Sequence, residues 1–352
     1  MTIASIVSAR PADRLAAHAA AAPLVITASP HLKGRDSTKI IMWHVVASLL
    51  PIVAASVWFF GPSALLVVGA SVAGAVATER LLGHRGTIGD GSATITGILL
   101  GLTLPAGMPL WMVALGAAFA IGFGKLIFGG LGYNIFNPAL LGRAFLQAAF
   151  PVAITTWPAA SGRWWALRGD NFAVPLMQAH APDAVTAATP LGLMKFEHQG
   201  TRLTDLVLGT TGGSLGETAA LLILLCGAYL AVRGYLNWRI PASILATVGL
   251  LAAVLHAMEP ARYASAPFML FSGGLMLGAV FMATDMVTAP VTDRGRWVFG
   301  VGIGLVVVII RVWGGLPEGV MYAILLMNAL VPFINRVTQP RVFGTRVNEV
   351  AG

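Results

Sequence analysis

The chain has 352 residues, of which 57% are hydrophobic and only 10% charged, with a mean hydropathy of +0.81 and a net charge of +8. Ordinary soluble proteins carry about 25% charged residues, so this composition excludes that class and describes a polytopic membrane protein. Basic residues concentrate in short loops between apolar runs, as orientation signals do, and nucleic acid is not an expected partner.

Met1 to Pro30 is Ala-rich with scattered Arg and has no compact apolar core, so it reads as a cytoplasmic tail and not a cleaved signal. Crossing a bilayer takes about 20 apolar residues, somewhat fewer where a span is interrupted. Applied along the chain, that rule predicts about ten transmembrane helices. The first five run roughly Ile40 to Phe60, Ser63 to Leu82, Ala93 to Leu104, Leu110 to Phe128 and Ile135 to Phe150. The second five run roughly Ala219 to Val232, Ala242 to His256, Met269 to Met282, Val298 to Val312 and Val320 to Phe333. Between the sets lies Pro151 to Gly216, too long and too polar for a tight connection; loops of that length are commonly functional or disordered. The expected organisation is a tail over 1–38, a five-helix membrane unit over 39–150, a loop over 151–216, a second five-helix unit over 217–335 and a tail over 336–352.

Lys33, Arg35 and Lys39 before the first span, Arg80 and Arg85 after the second, and Lys125 at the end of the fourth fall on one side of this arrangement. So do Arg233, Arg239, Arg294, Arg296, Arg336, Arg341 and Arg346; Arg262 and Arg311 are exceptions. The basic side is cytoplasmic, which places both termini there and the 151–216 loop outside. An odd number of spans per half inverts the second half relative to the first. Gly97-Ile98-Leu99-Leu100-Gly101 matches Gly274-Leu275-Met276-Leu277-Gly278, and Gly129-Gly130-Leu131 matches Gly314-Gly315-Leu316. Such spacing also serves generic close packing, but in corresponding positions it predicts an all-α protein of two inverted five-helix repeats with a site near their interface. The 41 glycines and 20 prolines suit broken helices of that kind.

Polar residues cluster where spans begin or end. Gly89-Asp90-Gly91-Ser92-Ala93-Thr94 opens the third span and Met282-Ala283-Thr284-Asp285-Met286-Val287-Thr288-Ala289-Pro290 closes the eighth; both read either as loop caps or as a ligand or ion site. Glu79 and Lys125 lie near span ends and can snorkel, whereas Arg143 sits mid-span and needs a partner, since intramembrane charge is costly. Glu79 or Asp285 could supply that partner, as could an anionic group of a cofactor or neighbouring subunit. Trp157, Trp164 and Trp165 suit an interfacial belt or the wall of a site for a flat ring. The single cysteine, Cys226, permits neither a disulfide nor an iron–sulfur cluster within the chain. His44 and His256 fall at opposite faces, which excludes a haem held by both. No metal site and no catalytic residue are expected, and no Gly-x-Gly-x-x-Gly follows a strand, so no dinucleotide site is expected in this chain.

Four stretches together resemble the RnfD/NqrB family. They are Ser29-Pro30-His31 with Ser37-Thr38-Lys39-Ile40-Ile41-Met42; Gly130-Leu131-Gly132-Tyr133-Asn134-Ile135-Phe136-Asn137-Pro138-Ala139; Asp183 to Leu191; and Gly213-Ser214-Leu215-Gly216-Glu217-Thr218. Length and a short N-terminal tail are closer to the RnfD branch than to the longer NqrB branch. The resemblance implies a subunit, not catalytic alone, of a bacterial inner-membrane complex that couples electron transfer between NADH and ferredoxin or flavodoxin to Na⁺ or H⁺ movement. It implies FMN joined as a phosphoester to Thr189 by a separate flavin transferase, with Asp183, Thr186, Ala187 and Ala188 completing the acceptor pattern and Pro190 following it. Thr186 stands where Ser is common and Ala187 where Gly is common. A second, non-covalent flavin, riboflavin, is implied within the bundle. Implied partners are other membrane and peripheral subunits, among them a second covalent-FMN subunit, iron–sulfur subunits and an NADH-binding subunit. The competing reading is an inverted-repeat transporter or channel without redox role, which would be colourless where a flavoprotein absorbs visible light.

Overall fold

The structure is a computed structural model and describes residues 36–83, 89–158, 160, 164–165, 167–175, 189–197, 199–209, 211–217, 220–260 and 262–340. The unit described is Thr38–Gly352. Asp183, Thr186, Ala187 and Ala188 lie outside the described residues.

Described secondary structure is helical, without strands. The first half contains α1 (Thr38–Phe60), α2 (Pro62–Leu82), α3 (Ser92–Leu102), α4 (Leu110–Gly124, prolonged by a tight turn Leu126–Phe128) and α5 (Pro138–Ala149). The second contains α6 (Ala220–Val232), α7 (Arg239–Met258), α8 (Ala266–Phe271), α9 (Asp293–Trp313) and α10 (Val320–Thr338). Among the described residues six helices are long and apolar enough to cross a membrane: α1, α2, α4 with its turn, α7, α9 and α10. The chain is thus a multi-pass membrane protein. The eighth predicted span is not one helix. It breaks after α8 at Ser272–Gly274 and resumes as Leu275–Leu277 and the wide turns of Gly278–Met282.

Local sequence explains the ends. Gly61 alone separates α1 from α2 at φ +73, and a Cβ there would collide with the Trp164 carbonyl oxygen, so only glycine fits this corner. Asn137 caps α5 by accepting from the Ala139 and Leu140 amides at 3.0 and 3.3 Å, with Pro138 at the first helical position. The helix therefore starts at Pro138, later than the span expected from Ile135.

In lipid, helices associate through close van der Waals packing. Gly74 on α2 sits against the Ala114 backbone of α4, while Gly300 and Gly304 on α9 receive Ser243 and Thr247 of α7. The two paired glycine motifs do not share one environment. Gly97 and Gly101 face Val72 and Val68 of α2, whereas Gly274 faces Glu318 at the break and Gly278 faces Val320 of α10. Cys226 is buried among apolar neighbours.

Two readings of single charges change. Glu79 and Lys125 do not snorkel; each is only 2% exposed and Lys125 Nζ donates to Glu79 Oε1 and to Ser92 Oγ. Arg311 is no loop charge. It lies within α9, 4% exposed, where its guanidinium donates to the carbonyls of Met269 and Ser272 at 2.6 and 3.0 Å.

Candidate functional site

The ends of α3 and α8 point carbonyls with no intrahelical partner into the interior, carrying the negative end of each helix dipole. A guanidinium meets each. Arg143 of α5 donates through Nη1 to the Thr103 carbonyl beyond α3, as Arg311 does to the Met269 and Ser272 carbonyls of α8. Arg143 Nη2 also reaches Glu318 Oε2 at 3.3 Å, so its carboxylate partner is neither Glu79 nor Asp285. Glu318, in the loop between α9 and α10, also accepts from the Gly274 amide through Oε1. Gly273 in this break adopts φ +67, which brings the backbone close to both Arg311 and Glu318.

Glu217 joins them from the segment before α6. Gly216 donates its amide to the Leu102 carbonyl at 2.6 Å and Leu215 to that of Leu104 at 3.1 Å, so this segment is bonded to the end of α3. A Cβ on Gly216 would meet Leu277 Cδ2 at 2.7 Å, which explains a glycine before the glutamate. Glu217 is within electrostatic reach of Glu318, Arg143 and Arg311.

Arg143, Glu217 and Glu318 border a cavity between the first-half helices and the broken span, and Thr189 and Trp157 line it with them. Thr189 has extended backbone (φ −67, ψ 150) and caps the short turn Pro190–Gly192, its hydroxyl accepting from the Gly192 amide at 3.2 Å. Pro190 starts that turn, and Leu191 is buried against Leu206 and Phe268. Lys195 follows on the wide turn Leu193–Glu197, and partial burial lowers its pKa from the ordinary lysine value. Of the three tryptophans, Trp157 lines the cavity, whereas Trp164 and Trp165 pack edge to face at 4.6 Å without lining it, Trp165 being largely exposed.

A second cavity brings together the polar ends of the third and eighth predicted spans. Ser92, Thr96, Lys125, Asn137, Thr284 and Asp285 line it, and Asn137 Nδ2 donates to the Met282 carbonyl at 3.1 Å. Among the described residues no group of His, Cys, Asp and Glu could hold a metal ion. His44 bonds instead to Tyr229 at 2.8 Å and His256 to the Tyr263 carbonyl at 2.7 Å.

Sequence reasoning singled out Thr189 and Arg143 but assigned no part to Glu318 or Lys195. Neither is intramembrane by span, and the signal was slight: a lone charge beside a Pro or Gly turn.

Residues 25–344 match the family described as the NQR2, RnfD, RnfE family. The chain belongs to this family. It is 42% identical to the D subunit of the proton-translocating ferredoxin:NAD(+) oxidoreductase complex of Clostridium ljungdahlii, over 91% of this chain and 96% of that one. It is 43% identical to the D subunit of the ion-translocating oxidoreductase complex of Stutzerimonas stutzeri, covering 88% and 93%. It is 40% identical to the D subunit of the Na(+)-translocating ferredoxin:NAD(+) oxidoreductase complex of Acetobacterium woodii, covering 93% and 98%. Each of these relatives is thus named as the D subunit of an ion-translocating oxidoreductase complex.

Proposed function

We propose that this chain is the membrane subunit that relays electrons between ferredoxin or flavodoxin and NADH pools while ions cross the membrane, and that Thr189 carries FMN as a phosphoester. The observation that carries this reading is the position of the Thr189 hydroxyl. It lies on a cavity bordered by an aromatic ring, Trp157, and by the charged groups of Arg143, Glu217 and Glu318. The residues present fit the group: a hydroxyl can form the ester, Trp157 can lie against a flat ring, and Arg143 can compensate negative charge. Bound FMN would supply one- and two-electron exchange, which side chains cannot. Trp157, Arg143 and the segment Thr189–Leu191 would orient it. The lining of Ser92, Thr96, Asn137 and Asp285 in the second cavity suits the hydroxyls and ring edge of a non-covalent flavin, riboflavin.

The proposed architecture is two inverted five-helix repeats over 39–150 and 217–335, supported by α2 packing along α4 as α7 packs along α9. The proposed setting is a bacterial inner membrane, with cytoplasmic tails over 1–38 and 336–352 and the 151–216 loop outside, where a flavin transferase reaches Thr189. Subunits bearing a second covalent FMN, iron–sulfur clusters and the NADH site would complete the electron path. The reading as a transporter without redox role loses ground to the names of the relatives.

Thr189→Val removes the oxygen and keeps the shape. The denatured wild-type chain, coproduced with a flavin transferase, should fluoresce in a gel and carry one FMN with loss of water; Thr189→Val should carry none. Flavin retained in Thr189→Val would move the acceptor elsewhere, and a wild-type chain without flavin would end the reading.

A further inference from the structure

We propose that Lys195 is the positioning residue that holds the flavin-bearing segment against the cavity; this rests on Thr189 as the FMN acceptor. Lys195 Nζ lies 3.2, 3.0, 2.6 and 2.8 Å from the carbonyl oxygens of Ile310, Arg311, Gly314 and Leu316. Two of these belong to the last turn of α9 and two to the loop beyond it. Carbonyls at a helix C-terminus run short of intrahelical donors and sit at the negative end of the dipole; of these four, that of Ile310 also accepts from the Gly314 amide at 3.0 Å. An ammonium brings three donors, so it satisfies nearly the whole ring of acceptors at once and is favoured there by charge.

The backbone of this seat includes that of Arg311, which caps α8, and it runs on to Glu318, which pairs with Arg143. One side chain thus ties the acceptor segment to the carboxylate–guanidinium group across the cavity. The segment's other anchor is apolar, Leu191 against Leu206 and Phe268. Contact of that kind is non-directional and leaves the segment free to slide, whereas a ring of oxygens around one nitrogen fixes a point. Arg262, another cation in the neighbourhood, is exposed and paired with Glu259, and the Arg311 guanidinium is spent on the carbonyls of Met269 and Ser272. A carrier attached through a single hydroxyl has many orientations. Electron transfer needs few of them, so fixing the segment six residues from the ester sets the flavin's distance to its partners.

The test uses the assembled complex coproduced with a flavin transferase and compares wild type with Lys195→Met and Lys195→Arg. Three quantities are read: covalent FMN per chain, amide hydrogen exchange of the segment 190–197, and turnover per FMN. Lys195→Met should keep covalent FMN, exchange the segment faster and lose turnover per FMN by on the order of tenfold to hundredfold, the scale of a small misplacement. Lys195→Arg, which keeps charge and donors, should recover much of both. If Lys195→Met fails to assemble, Lys195→Gln, which keeps donors without charge, is read by the same three quantities. Flavin-bearing variants with wild-type exchange and wild-type turnover per FMN would overturn this proposal alone. So would activity lost only in proportion to FMN content. A wild-type chain without covalent flavin would overturn the acceptor reading and this one with it.

Discussion

Two groups of buried charge lie in this protein, and they are built differently. Glu79 and Lys125 belong to one half and form a closed chain: Lys125 bonds to Glu79 and to Ser92, and Ser92 donates to Asp90 at 2.6 Å. Arg143, Arg311, Glu217 and Glu318 come from both halves; the two guanidiniums spend most of their bonds on helix-end carbonyls, and Arg143, Glu217 and Glu318 border the cavity of Thr189. Desolvation makes burial costly for both groups, so burial alone marks neither as functional. The distinction is that one group lies within a single half at the edge of the second cavity, while the other is shared between halves and borders the cavity that the Thr189 hydroxyl lines.

The strongest way to break this comparison is Lys125→Met, which leaves the Glu79 carboxylate buried and unpaired. The expected cost is about 3–5 kcal/mol, read as loss of folded chain from membranes, with the double variant Lys125→Met, Glu79→Gln recovering much of the yield. Normal yield of the single variant would mean the pair is not structural. Arg143→Leu should act differently. Glu318 keeps the Gly274 amide and nearby Arg311, so the chain should still assemble and carry flavin while turnover falls by at least about tenfold, the scale for removing a fixed positive group from a site. Unchanged turnover would show the charge to be idle, and loss of assembly equal to that of Lys125→Met would erase the contrast. The smallest effect is expected for Asn137→Ala, which removes a helix cap worth about 1 kcal/mol and the bond to Met282. A lower thermal midpoint with most turnover retained would sharpen the view that Asn137 joins the halves; an unchanged midpoint would contradict it.

Much was legible without coordinates because it is local. Apolar runs give α1, α2, α4, α7, α9 and α10 near their observed ends, since the free energy of placing a residue in lipid depends on its own side chain. Asn137-Pro138 starts α5 by cap chemistry that needs only two neighbouring residues, a local signal hidden by the apolar run that sets the expected start at Ile135. Less visible was the break at Ser272–Gly274, because an apolar segment reads as a span whether or not its helix is continuous.

By itself, then, the sequence determined a helical membrane protein, its family motifs and the hydroxyl of Thr189, each carried by residues within a few positions of one another. Tertiary structure alone decided which charges meet. Arg143 and Glu318 lie 175 positions apart, and Lys195 reaches carbonyls 115 to 121 positions away. Carbonyl acceptors have no side-chain signature at all. Every residue carries one, and only the folding of α3, α8 and α9 turns these few helix-end carbonyls toward a guanidinium or an ammonium.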